Sequence, residues 1–217
     1  MNTRYPPNKN LTIHQGKRYK GLPVWEKGDL IWDYLVSIEG VIDKALNEHP
    51  RTLAIRFDLH LPVVTNEFNS SLISQFFKKL NNEITKDLRA KKKKNGQVHK
   101  SALRYLWVRE RNNSYSPHYH VVILLNKDTY YGLGDYGGDG NNLANRIMRA
   151  WSDALHVDPF IGRPLVHFPD NATYRLKSNH PSFQEEYRNL FYRLSYFAKT
   201  DTKGFGDMVN SFGCSRK

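Results

Sequence analysis

Two histidines one residue apart open the apolar run HYHVVILLN (His118–Asn126). In an extended strand residues i and i+2 share a face, so His118 and His120 project together while Tyr119 points to the other side. The strand rise puts their backbones about 6–7 Å apart, a gap across which two imidazole nitrogens can converge on one cation. Glu110 stands on the preceding apolar segment, where a hairpin would bring it across from the pair. One carboxylate with two imidazoles makes a three-ligand site with open positions. Asp58 and His60, on an earlier strand, are rival third ligands or orienters of the histidines. The plain alternative is that both histidines cap a strand end and bind water.

A second group able to do chemistry lies in YRLSYFAK (Tyr192–Lys199). Tyr192, Tyr196 and Lys199 fall at i, i+4 and i+7, hence on one helix face. Such a stripe is ordinarily core or interface. A phenol, with a pKa of about 10, is also a poor nucleophile at neutral pH. It can attack phosphorus where a cation draws charge from the phosphate and the geometry is in line. Lys199 would stabilise charge developing on the phosphate or the phenolate.

These side chains need elements to position them. Apolar residues recur at helical spacing over Asp29–Asn47, and Pro50 stops that helix. LAIRFDLHLP (Leu53–Pro62) alternates, with Ala54, Arg56, Asp58 and His60 on a polar strand face. The longest helix spans Asn69–Ala90 and runs into KKKKNGQ (Lys91–Gln97), read as a basic loop. Ser101–Asn112 and His118–Asn126 form an antiparallel hairpin. The glycine-rich Tyr130–Asn141 lacks the lysine and spacing of a phosphate-binding loop. A helix over Asn142–Leu155, two short strands around an Asp-Asn turn in Pro164–Leu176, and a helix over Ser182–Lys199 complete the chain. Ser182 and Glu185 have the spacing of a capping box at the last helix's start. The expected fold is α+β, a central antiparallel sheet flanked by helices.

A length of 217 residues suits one domain, with residues 1–50 forming a basic arm and helix packed on a main domain at 51–217. The single cysteine, Cys214, excludes a disulfide framework and suits a reducing cytoplasm. The sequence has no apolar run near the length of a membrane span and no signal-peptide pattern. Thirty-three Lys and Arg against twenty-one acids give a net charge of +12, which suits a polyanion, most often nucleic acid. Solubility alone is the bland alternative. Candidate phosphate contacts are Lys91, Lys92, Lys93 and Lys94, together with Lys17 and Arg18 in the acid-free N-terminal stretch. Tyr5 and Tyr19 lie there too, which suits an arm laid on phosphates or, equally, a disordered tail.

HYHVVI (His118–Ile123) resembles the HUHUUU motif, with U a bulky apolar residue, of the HUH endonucleases, and YRLSYFAK resembles their YxxxYxxK motif. The order agrees: an apolar strand, the histidine motif, then the tyrosine helix. Residues 50–215, tail included, resemble the inovirus-type (filamentous phage gene II-like) replication initiators. The resemblance implies a ferredoxin- or RRM-like core and a Mn²⁺ or Mg²⁺ ion on His118, His120 and Glu110. It implies that Tyr196 attacks the scissile phosphate and stays joined to the DNA 5′-phosphate, with Tyr192 as second nucleophile or positioning residue. The substrate would be single-stranded or locally melted origin DNA, and a host helicase and polymerase would be partners. A transposase, a plasmid relaxase and a non-catalytic DNA-binding regulator are the alternatives.

Overall fold

A computed structural model describes residues 3–62, 71–110, 117–138, 140–201, 203 and 210–216. Four two-residue strands come first: β1 (Ile13–His14), β2 (Arg18–Tyr19), β3 (Leu22–Pro23) and β4 (Leu30–Ile31). Helix α1 (Trp32–Glu48), strand β5 (Arg51–His60), helix α2 (Leu72–Asn95) and strands β6 (Arg104–Glu110) and β7 (His118–Asn126) follow. Then come α3 (Leu143–Leu155), the single turn α4 (Pro159–Gly162), β8 (Val166–His167), β9 (Thr173–Lys177), α5 (Phe183–Ser195) and β10 (Phe212–Cys214).

The main sheet is antiparallel throughout, in the order β10, β6, β7, β5, with β8 and β9 sharing the far edge of β5. Alternation along β5 divides its side chains between two cores. Leu53, Ile55, Phe57 and Leu59 pack beneath α2 and α3, where Phe76, Leu80, Ile147 and Trp151 meet them. Ala54 joins Val108, Val122 and Leu124 beneath α1 and α5, represented by Leu35, Ile38, Leu190 and Leu194. The fold is therefore α+β, a sheet with helices on both faces. Among the described residues no helix is long and apolar enough to cross a membrane.

Several elements differ from the sequence reading, each for a local reason. Leu30 and Ile31 pair with His14 and Ile13 as a strand, so the helix expected from Asp29 begins at Trp32. Lys91–Lys94 do not form a loop: they are the closing turns of α2, which ends where Gly96 takes a positive φ of 74°. Cations there meet the negative end of the helix dipole. The final helix stops at Ser195, and Tyr196–Ala198 form a 3₁₀ turn instead of continuing to Lys199. The Ser182 capping box is absent, because Ser182 Oγ is hydrogen-bonded to His180 Nδ1 at 2.8 Å and caps no helix amide.

The N-terminal stretch is neither a free arm nor a disordered tail. Tyr5, Tyr19 and Val24 are buried in the core beneath α1 and α5. Tyr19 donates its hydroxyl hydrogen to Glu39 at 2.8 Å, and Tyr5 donates to the Thr200 carbonyl at 2.9 Å.

Strand β10 sets Gly213 directly opposite Trp107, and a Cβ there would lie 2.6 Å from the indole nitrogen. Gly213→Ala is expected to lower the urea-unfolding free energy by about 1–3 kcal/mol, the usual cost of overpacking. Unchanged stability would show that β10 is not held against that ring.

Candidate active site

Strand register assembles the site. His118 lies opposite His60 on β5 and Glu110 on β6, while His120 lies opposite Asp58 and Val108. All five ionisable residues are at even positions, so they face the α1/α5 side of the sheet at one end. The His118 and His120 rings are 4.7 Å apart, and His60 stacks on His118 at 5.5 Å.

His120 is held from both sides. Its Nδ1 meets a carboxylate oxygen of Asp58 and lies 2.9 Å from an Arg56 guanidinium nitrogen. Arg56 also donates to Asp58 at 2.8 Å. With a cation on Nε2 the ring proton would sit on Nδ1, against the close Asp58 oxygen. Burial alone would raise the Asp58 carboxyl, but His120 and Arg56 hold it below its ordinary value. Asp58 thus acts as an orienter of His120 and stands on the nitrogen remote from Glu110.

Glu110 joins the histidines to the tyrosine segment. It is 0% exposed, and its Oε2 lies 3.3 Å from His120 Nε2. Lys199 pairs with Oε2 at 2.8 Å and Lys203 with Oε1 at 3.0 Å. Burial would push this carboxyl up, but His120, Lys203 and Lys199 hold it well below the usual range. Burial in turn lowers the Lys203 ammonium to about 8, against the pull of Glu110. Lys199 Nζ also donates to the Tyr196 hydroxyl at 2.5 Å. The Tyr196 ring stands edge-on to His120 with centroids 5.5 Å apart.

Tyr196, Lys199, Glu110, His118 and His120 therefore meet. Tyr192 does not touch the histidines: 44% exposed, it lines a cleft of about 380 Å³ with Trp25, Lys27, Arg56, Arg193 and Tyr196. Lys91–Lys94 lie toward the opposite end of β7. Lys91 pairs with Asp87 at 2.9 Å and donates to the Thr129 carbonyl, three residues beyond that strand. Lys17 pairs with Glu26 at 3.6 Å, and Arg18 donates to the Gly21 carbonyl across the β2–β3 turn. A larger cavity of about 600 Å³, between α2 and the β6–β10 edge, has no carboxylate or imidazole among the described residues of its lining.

The donor atoms of Glu110, His118 and His120 lie within 4.8 Å of one another. Carboxylate oxygens have lone pairs beyond those the two lysines use, so the three residues fit a divalent ion that shares Glu110 with Lys199. Nitrogen-rich donors suit Mn²⁺ better than Mg²⁺. Sequence reasoning placed Arg56 on the right strand face without a role, and it missed Trp25, Lys27, Arg193 and Lys203, whose partners are remote in the chain.

The YagK/YfjJ C-terminal domain family matches residues 15–215. The chain belongs to this family. It is 34% identical over 209 residues to "Uncharacterized protein YagK" of Escherichia coli (strain K12), covering 92% of this chain and 98% of that protein. It is 35% identical over 202 residues to "Uncharacterized protein YfjJ" of the same organism, covering 88% and 97%. No solved structure matches the chain. The family match takes in every residue of the site and of the cleft, Trp25 and Lys203 included.

Burial, followed by the adjacent His120, lowers His118 from 6.5 to about 4. In that window the unfolded chain binds the proton and the folded chain does not, so unfolding free energy falls as pH drops. In chelator, the thermal midpoint of the wild type is expected to fall more steeply from pH 6.5 to 4 than that of His118→Asn. Equal slopes would show that His118 is not held neutral.

Proposed function

We propose that this protein is a divalent-ion-dependent, tyrosine-using DNA nickase and strand transferase of the HUH endonuclease type, acting in the cytoplasm to start rolling-circle replication. One observation carries the reading: Lys199 links the Tyr196 hydroxyl, at 2.5 Å, to Glu110, at 2.8 Å, and Glu110 reaches His120. A nucleophile and a cation-binding pair thus share one buried carboxylate.

In this reading Tyr196 Oη forms a bond to the phosphorus of an unpaired strand. The bond from phosphorus to the 3′ oxygen breaks; the phenol loses its proton and the departing oxygen gains one. The bonds of Lys199 to Glu110 and Tyr196 keep its ammonium charged, against the effect of burial. It therefore serves as a fixed positive charge beside the phenolate, not as a base. A divalent ion on His118, His120 and Glu110 would supply charge neutralisation at the phosphate. Asp58 and Arg56 fix the His120 ring. The phosphotyrosine keeps the energy of the broken bond, so attack by a 3′-hydroxyl reseals the strand without ATP. Tyr192, on the same cleft, is placed for a second transfer or for positioning the strand. The free 3′-hydroxyl is what a polymerase would extend, with a helicase opening the duplex.

The test is a labelled single-stranded origin oligonucleotide incubated with Mn²⁺ and run on a denaturing gel. The wild type is expected to give a covalent protein–DNA adduct. Tyr196→Phe should lose the adduct and keep DNA binding, and His118→Ala with His120→Ala should lose ion-dependent nicking. Undiminished adduct from Tyr196→Phe removes that residue from the role, and nicking that survives chelation discards the ion site.

A further inference from the structure

We infer that the cleft lined by Trp25, Lys27, Arg56, Tyr192, Arg193 and Tyr196 seats one unpaired nucleotide beside the reacting phosphate, with the N-terminal segment supplying one wall. The inference rests on Tyr196 being the nucleophile.

Among the described residues the lining is three aromatic rings and three cations, with no acid. Its volume, about 380 Å³, falls in the range of small-ligand pockets, about 300–1,000 Å³. Lys27 is exposed and Arg193 half-buried, and neither forms an ion pair among the described residues. Arg56, paired with Asp58 at 2.8 Å, and Arg193 line the same cleft, so an anion seated there meets both.

The rings define what accompanies that anion. Trp25 is fixed by its backbone N–H, which donates to Ser195 Oγ at 2.8 Å, and by an edge-on contact with Tyr196 at 5.7 Å. Tyr192 is largely open to solvent on the same cleft. Rings beside cations suit a base with its phosphate. Bases in a duplex have no free face, so the nucleotide belongs to an unpaired strand. Trp25 and Lys27 come from the segment before β4, outside the stretch that resembles the HUH core.

The experiment measures anisotropy of a fluorescein-labelled, mixed-sequence single-stranded oligonucleotide in chelator, with the full chain, and repeats it with the matching duplex. Trp25→Ala is expected to bind the single strand about tenfold more weakly, the scale of one lost base–ring stack, while Trp25→Phe restores most of the affinity. Duplex affinity should be the same for Trp25→Ala and the wild type. Lys27→Glu with Arg193→Glu should weaken single-strand binding at least as much with an unchanged circular dichroism spectrum, which guards against a misfolded Trp25→Ala. Wild-type single-strand affinity in Trp25→Ala and in the double reversal overturns the proposal, as does equal weakening on duplex. A wild-type adduct alongside unweakened variants sinks the cleft and spares Tyr196. Weakened variants with no wild-type adduct spare the cleft and sink the nucleophile.

Discussion

A carboxylate sealed from solvent holds this site together. Glu110 sits at the end of β6 with His120 on one side and the ammonium groups of Lys199 and Lys203 on the other. An isolated charge there would be very costly, and only direct partners make its burial tolerable. Three cations, Lys199, Lys203 and Arg56, pair directly with the two carboxylates Glu110 and Asp58, and the Asp201 charge also acts on Lys203. Burial, with the neighbouring His120 and His60, is what holds His118 low, against the pull of Glu110 and Asp58.

The tyrosine segment owes its position to that carboxylate and to the N-terminal strands. Ser195 Oγ donates to the Tyr192 carbonyl at 2.7 Å and accepts from the Trp25 amide, which marks the change from α-helix to 3₁₀ turn. Leu30 then forms a bridge with Lys199, and the Thr200 amide bonds the Asp29 carbonyl at 3.0 Å. The end of α5 is thereby tied to the N-terminal strands as well as to Glu110. This explains why the chain buries Tyr5 and Tyr19 in the core shared by α1 and α5 instead of releasing them as an arm.

The long elements were legible in sequence because their periods are strong. The alternation of β5, the run after His118 and the apolar stripes of α1 and α2 each bury one face, and burial enforces the pattern. The histidine pair and Glu110 followed from the same alternation, since the β6–β7 register needs only the hairpin. What stayed hidden was non-local or too short. Two-residue strands carry no period, and the Trp25–Ser195 bond spans 170 residues. The lysine run looked like a loop from its charge, yet lysine is a good helix former and completes α2. Lys203 carried no spacing signal, because its role comes only from reaching Glu110 in space.

The bond network of Glu110 is best tested by urea unfolding of Glu110→Gln at neutral pH. The substitution keeps the shape of the side chain and removes its charge, leaving Lys199 and Lys203 without their buried counter-ion. The unfolding free energy is expected to fall by about 3–5 kcal/mol, the scale for breaking a buried pair from one side. A variant as stable as the wild type would show that this carboxylate does not hold the tyrosine segment to the histidine strands.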